Sequence, residues 1–254
     1  MPPRVQRVAV IGAGVMGSGI AQVLALNGYD VTCHDVRETA LESALEGIAN
    51  GRFGLARSVE RGRISESEMK RALQRLHFSS RLDEAVSESD LVLEAVYEDL
   101  ALKISLFRSL NEVAPERAIL CSNTSGFSVG AMAAATDRPA QVIGWHWASP
   151  PPVMRMAEIV VHAIAQGATS DETRDTVVEV ARRCGKNPVV VKDNPRTWGF
   201  VANRVYGAMV REAERVVAEG MASADEVNQL MMDCFNWPVG PLALAKGARG
   251  GWKE

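Results

Sequence analysis

Residues 8–35, VAVIGAGVMGSGIAQVLALNGYDVTCHD, constrain the fold of this chain more than any other stretch. An unbroken apolar run leads through three spaced glycines into a helical apolar pattern, and a second apolar run then closes on an acid. A short continuous apolar run is what a strand buried on both faces requires, as in a parallel sheet covered by helices. Gly12 permits the tight turn, Gly14 lets the backbone approach a pyrophosphate, and Gly17 lets the helix pack closely on the strand. The helix that opens here supplies free N–H groups and a positive dipole end to phosphates. Asp35 is placed to accept hydrogen bonds from both hydroxyls of a ribose and to repel a 2′-phosphate, which favours NAD over NADP; Arg37, two residues on, weakens that preference slightly. Gly12, Gly14, Val15, Met16, Gly17 and Asp35 are therefore the cofactor-binding residues expected from this stretch. A packing turn without a ligand is the alternative reading of the glycines alone.

Strand signals recur at 5–11, 30–35, 90–95, 118–121, 141–145, 157–161 and 188–191, with helical patterns between most of them. Such alternation predicts the α/β class, with a doubly wound, mostly parallel sheet. Residues 37–76 read as a long helical excursion carrying Arg52, Arg57, Arg61, Arg63, Arg71 and Arg75. Near Asp193 the pattern changes: DNPRTWGF is followed by helical spacing only, with Gly220 as a stop. Two domains are expected, a dinucleotide-binding domain over 1–194 and a smaller all-helical C-terminal domain over 195–254. With 254 residues and 47% hydrophobic content there is material for both cores.

Charge and cysteine usage exclude several classes. A formal net charge of -3 gives no general attraction to nucleic acid or to anionic membranes. No apolar run approaches the roughly 18 residues that span a bilayer. Cys33, Cys121, Cys184 and Cys234 are widely spaced, with neither a CxxC pair nor a Cys/His cluster, so reduced thiols, no metal site and a cytoplasmic location are expected. The N-terminus passes from two prolines straight into a strand, without the pattern of an export signal.

Oxidation at a bound nicotinamide also needs a proton acceptor, and the chain has four histidines. His34 adjoins Asp35 at a strand end and reads as structural, whereas His77 and His162 read as polar or solvated. His146 ends QVIGWH, after which WASPPP must leave the sheet. In open parallel sheets the ligand crevice lies outside the carboxyl ends of the strands, so His146 is either a base at the cofactor edge or a satisfied core histidine.

VIGAGVMGSGIAQ, DLVLEAVYEDLALKISLF, SNTSGFSV, VIGWHWASPPPVMRMAEIV, GKNPVVVKD, GFVANR and PVGPL, taken in order, resemble the 3-hydroxyacyl-CoA dehydrogenases over nearly the whole chain. The resemblance implies a Rossmann-type fold and NAD-dependent oxidation of a 3-hydroxyacyl-CoA to a 3-ketoacyl-CoA. It implies that His146 is the catalytic base, that Glu158 pairs with it, that Ser125 and Asn203 contact the reacting substrate, and that Glu98 and Lys103 approach the cofactor. Read without the resemblance, Ser125 is a helix cap, Lys103 a surface lysine and Asn203 a tie between helix and sheet.

Departures from the family pattern are local. HFFNP becomes HWASP, which puts Ser149 where an asparagine normally meets the cofactor and leads us to expect Trp147 in the wall beside His146. NTSS becomes NTSG, PGF becomes PRTWGF, and the chain ends soon after PVGPL. Arg52 and Arg57 are candidates to grip the phosphates of coenzyme A, against a solvated face balanced by Glu46, Glu60, Glu66 and Glu68. An apolar stripe including Val201, Val205, Met209, Val216, Val217, Val227, Leu230 and Met231 leads us to expect a homodimer, which the resemblance also implies. Two other functions fit the same fold. One is a dehydrogenase of a free hydroxy acid of the L-gulonate or carnitine type, and the other a non-catalytic NAD-binding protein.

Overall fold

The computed structural model describes residues 5–250. They form two compact units that divide between Trp198 and Gly199. The first unit opens with β1 (Arg7–Ile11), α1 (Val15–Leu26) and β2 (Asp30–His34), as the glycine-rich stretch demands. The arginine-rich excursion follows as α2 (Glu38–Asn50), α3 (Leu55–Glu60) and α4 (Glu66–Gln74), and returns to the sheet as β3 (Leu76–Ser79). Next come α5 (Leu82–Val86), β4 (Leu91–Glu94), α6 (Leu100–Val113), β5 (Ile119–Ser122), α7 (Val129–Ala133) and β6 (Val142–Trp147). The unit closes with β7 (Met156–Val161), a small hairpin of β8 (Ala163–Ile164) and β9 (Gly167–Ala168), α8 (Asp171–Arg183) and β10 (Asn187–Lys192).

Eight strands make one sheet in the order β10-β7-β6-β5-β4-β1-β2-β3. β1 through β6 run parallel, β7 is antiparallel to β6, and β10 follows β7 in parallel. The carboxyl ends of β1, β4, β5 and β6 therefore share one edge, and the start of β7 lies beside the end of β6. The sheet is mostly parallel and doubly wound, as expected. Strand β3 is absent from the expectation because it is a short edge strand in which only Leu76 is fully buried, so neither a continuous apolar run nor an alternation marks it. The hairpin of β8 and β9 leaves no pattern in the sequence, each arm being two residues long.

Apolar burial on the sheet faces holds this unit together. Helix α1 buries Gly17, Gly19, Ile20, Ala21, Val23 and Leu24; Gly17 lets it close on the turn after β1, and Gly19 faces the ring of Pro151. Full burial of a side chain such as Ile20 or Leu24 contributes roughly 1.5–3 kcal/mol. Helix α4, with few apolar residues, is fixed at its start by a capping box between Ser65 and Glu68.

The second unit contains α9 (Val201–Ala218), α10 (Ala224–Phe235) and α11 (Pro241–Gly250). Ser223 and Glu226 form a capping box on α10, and Asn236, in the left-handed region at φ 54°, ends it. The Asn228 side-chain oxygen accepts the Leu242 and Ala243 amides and so caps α11 from a neighbouring helix. Of the apolar stripe, Val227 is buried, whereas Val201, Val205 and Leu230 are exposed.

Candidate active site

The turn between β1 and α1 is built on three glycines with three different constraints. Gly12 has φ +107°, and a Cβ there would stand 2.5 Å from the Ala95 carbonyl oxygen at the end of β4. A Cβ on Gly17 would fall 1.7 Å from the Gly12 oxygen, inside the turn itself. A Cβ on Gly14 would meet no heavy atom within 4 Å, so the open side of this residue is where a ligand phosphate can approach. Gly14 is the N-cap of α1 and supplies no capping side chain, and no acid lies in the first turn. The amides at this helix start are thus available to an anion. Val15 beside it is exposed and Met16 half-buried.

Asp35 follows β2 directly. Its carboxylate accepts the Ala13 amide at 3.1 Å and the Arg37 amide at 3.0 Å, and the Arg37 guanidinium lies 3.5 Å away. Burial raises its pKa, but these two amides and the guanidinium outweigh burial and leave the carboxyl below the usual range. A groove of about 550 Å³ runs along this turn, lined among others by Gly14, Ser18, Arg37, Ser43, Arg52 and Pro151. A dinucleotide fits this chemistry, with phosphates at Gly14 and a ribose at Asp35.

His146 and Glu158 face each other across the antiparallel pair of β6 and β7, and His146 Nδ1 lies 2.7 Å from Glu158 Oε2. Both residues are buried. An ionised Glu158 accepts the Nδ1–H, which fixes the tautomer and leaves Nε2 as the basic nitrogen. The expectation that Trp147 walls His146 is wrong. Neighbouring residues on a strand point to opposite faces, so Trp147 stacks on Trp145 at 4.9 Å within the main hydrophobic core. The Asn123 side chain, just after β5, accepts the Trp147 amide at 2.9 Å and ties the ends of the two strands together.

Ser125 lies in the loop after β5. Its amide donates to Glu98 Oε1 at 2.8 Å, and the Thr124 hydroxyl donates to the same oxygen at 2.6 Å. Helix α7 is capped by Ser128, not Ser125, which removes the capping reading. Lys103 is not a surface residue: it is 1% exposed, with Nζ 2.6 Å from Glu94 and 3.1 Å from Glu98. Its position on α6 turns it inward, and two carboxylates satisfy a charge that could not otherwise be buried. Ser149 is exposed just past β6. Asn203 belongs to the second unit, in the first turn of α9.

Arg52 and Arg57 line a second cleft, of about 290 Å³, together with Arg61, Arg63, Arg155 and Lys186 and no acidic side chain. Arg57 also pairs with Glu60 at 2.7 Å, and Arg52 lies over the Phe53 ring at 5.4 Å. Lys186 gave no signal in the sequence. Its buried Nζ donates to the Pro151 and Met154 carbonyls at 2.6 and 2.7 Å and lies 4.8 Å over the Trp147 ring. His34 is structural as expected, with Nδ1 2.9 Å from the Ser79 oxygen. His162, expected to be solvated, is buried, with Nε2 3.0 Å from the Pro139 oxygen; burial holds its pKa down. Among the described residues, no helix is long and apolar enough to cross a membrane, and no group of three or more His, Cys, Asp or Glu is placed to hold a metal.

A parallel sheet with a glycine turn, an acid after β2 and a buried His–Glu pair at the sheet edge defines the class as a nicotinamide-dependent oxidoreductase of Rossmann type. The family model for the NAD binding domain of 3-hydroxyacyl-CoA dehydrogenase matches residues 7–194, and that for the C-terminal domain matches 199–249. The chain belongs to the 3-hydroxyacyl-CoA dehydrogenase family, and its cofactor is NAD. It is 40% identical over 241 residues to a probable 3-hydroxybutyryl-CoA dehydrogenase of Bacillus subtilis, covering 95% of this chain and 80% of that one. Identity to a 3-hydroxybutyryl-CoA dehydrogenase of Clostridioides difficile is 36% over 239 residues, 94% of this chain and 81% of the relative. The crystal structure of an (S)-3-hydroxybutyryl-CoA dehydrogenase from Ralstonia eutropha superimposes with a TM-score of 0.88 at 35% identity, covering 95% of this chain and 82% of that one.

Proposed function

We propose that the protein catalyses the reversible oxidation of a 3-hydroxyacyl-CoA to a 3-ketoacyl-CoA, with the His146–Glu158 pair as the proton acceptor. The observation that carries this reading is the buried contact of 2.7 Å between the two side chains at the end of β6. Bound NAD supplies the hydride acceptor. His146 takes the hydroxyl proton at Nε2 as the C3–H bond breaks, and the Glu158 carboxylate stabilises the imidazolium that forms. Ser125 and Asn203 are assigned to hydrogen bonds with the substrate oxygen, where each donor contributes about 2–4 kcal/mol as developing charge is held. Gly12, Gly14, Val15, Met16, Gly17, Asp35 and Ser149 are assigned to the dinucleotide, with Glu98 at its nicotinamide side and Lys103, buried behind Glu98, acting on it only through that carboxylate.

Coenzyme A carries a pyrophosphate and a 3′-phosphate, and the cleft that Arg52 and Arg57 share with four other cations has the complementary charge. This favours an acyl-CoA over a free hydroxy acid. The exposed Val201, Val205 and Leu230 support a homodimer, and the four cysteines without disulfides support a cytoplasmic location. The test follows NADH oxidation with acetoacetyl-CoA, longer 3-ketoacyl-CoAs and free 3-keto acids. Turnover confined to the thioesters is expected, turnover of the free acids alone would replace the substrate assignment, and none at all would leave an NAD-binding protein. Light scattering at micromolar concentration should give twice the 27.4 kDa of one chain.

A further inference from the structure

The mechanism leaves a buried carboxylate unused. Glu94 ends β4, is 0% exposed, and is joined to the Ser125 loop by two routes. Along the first, Glu94 Oε1 lies 2.6 Å from Lys103 Nζ, Lys103 lies 3.1 Å from Glu98 Oε2, and Glu98 Oε1 accepts both the Thr124 hydroxyl and the Ser125 amide. Along the second, the Ser122 hydroxyl donates to Glu94 Oε2 at 2.6 Å and accepts the Thr124 amide at 3.1 Å. The Thr124 hydroxyl oxygen in turn accepts the Phe127 amide at 3.0 Å. One carboxylate inside the sheet thus sits at the root of the hydrogen bonds that shape the loop carrying Ser125.

Charge explains why that root is an acid. Lys103 is an ammonium with almost no access to water, and two carboxylates face it. With Glu94 ionised, Lys103 is neutralised from inside, and Glu98 keeps a whole oxygen for Thr124 and Ser125. Without that inner charge, Glu98 is the sole counter-charge for a buried cation, and the attraction draws its carboxylate toward Lys103 and off the loop. Burial pushes the Glu94 carboxyl above the usual range, while Lys103, Ser122 and the Val96 amide act against it.

We propose that Glu94 is a positioning residue for the reaction: by neutralising Lys103 it keeps Glu98 on Thr124 and Ser125 and so sets the place of Ser125. This rests on the assignment of Ser125 to the substrate. Glu94→Gln keeps the shape and removes the charge, and because Val96, Lys103 and Ser122 all donate to Glu94, its NH2 also costs one of them its acceptor. It is expected to speed amide hydrogen exchange at Ser125 and to lower kcat, each about tenfold, a change within the range of couplings between residues in one network. In a Lys103→Met background the same substitution is expected to change either readout by less than about threefold, because the charge on Glu94 acts through Lys103 and only the hydrogen bond to Ser122 is left to lose. Exchange and kcat within twofold of the unmodified protein in Glu94→Gln, or losses that multiply in the double variant, would overturn the proposal. Should Glu94→Gln not fold, the double variant is compared with the unmodified protein: with neither buried charge present Glu98 stays on Thr124 and Ser125, so exchange at Ser125 is expected to rise by less than about threefold, and a rise of about tenfold or more would overturn the proposal. A protein without activity on any 3-ketoacyl-CoA would sink the substrate reading, and Ser125 exchange would still test Glu94.

Discussion

Replacing Glu158 by glutamine tests the proton acceptor with the least change in shape. The carboxylate is hydrogen-bonded to His146 at 2.7 Å, and both side chains are largely shielded from water, at 6% and 8% exposure. During oxidation the imidazole becomes an imidazolium, with its charge about 4 Å from that of the carboxylate. At an effective dielectric constant of about 20 the attraction amounts to about 4 kcal/mol. Because it exists only when the ring is charged, it lowers the barrier without tightening ground-state binding, and its loss corresponds to roughly a thousandfold in kcat. Glutamine also weakens the hold on the tautomer, an effect that costs about 10⁴-fold when the carboxylate of a hydrolytic triad is replaced. Turnover of a 3-hydroxyacyl-CoA at saturating NAD, with a fluorescence titration of NADH alongside, should give a fall in kcat of at least 10³ and an NADH affinity within about threefold. His146→Gln should cost at least as much, and the double variant little more than the worse single one. A Glu158→Gln enzyme within tenfold of the unmodified kcat, or one whose loss lies in KM alone, would refute the reasoning.

Two alanine substitutions in one turn should separate cofactor binding from folding. Gly17→Ala forces the backbone apart and should cost about 1–3 kcal/mol of stability in denaturant unfolding. Gly14→Ala meets nothing within 4 Å, so its melting temperature should hold while NADH affinity falls at least tenfold through contact with the phosphates. Of the four cysteines only Cys234 is exposed, and burial pushes the Cys33 and Cys184 thiols up to about 12 and raises Cys121 as well. A thiol reagent at neutral pH should therefore titrate one cysteine in the native protein and four after denaturation. Asp35 has a pKa lowered by folding, so its contribution to stability is present above about pH 4, the ordinary range for an aspartate, and lost as pH falls through the lower folded value. Asp35→Asn should flatten that acid limb of the melting curve and raise the affinity for NADPH relative to NADH; an unchanged ratio would remove Asp35 from the ribose assignment.

Much of the fold is legible in the chain because its signals are local. A strand buried on both faces reads as a near-continuous apolar run, Gly17 is imposed by the Gly12 oxygen in the same turn, and Gly12 by its own positive φ, to which Ala95 after β4 adds a contact from outside the turn. The excursion over 37–76 reads as helical, and the structure divides it into α2, α3 and α4 ahead of β3. Where the reading fails, the cause is a partner distant in sequence. Strand β3 exists because β2 offers it an edge. Burial of His162 depends on a carbonyl at Pro139, and burial of Lys103 on Glu94 and Glu98. Trp147 departs from the expectation for a simpler reason, since alternation along β6 puts it on the face opposite His146.

By itself the sequence determined that this chain builds a covered parallel sheet with a phosphate-binding turn, because glycine spacing and apolar runs act over a few residues and need no distant partner. It also named His146, as the histidine where a strand leaves the sheet. Only the tertiary structure decided that β7 runs back against β6 and so brings Glu158 to 2.7 Å from His146. The same holds for the inner charge on Lys103 and for the six cations that gather from the excursion and from the segments before β7 and β10. Electrostatic pairing depends on distance in space and on exclusion of water, and both are set by how the strands register and pack.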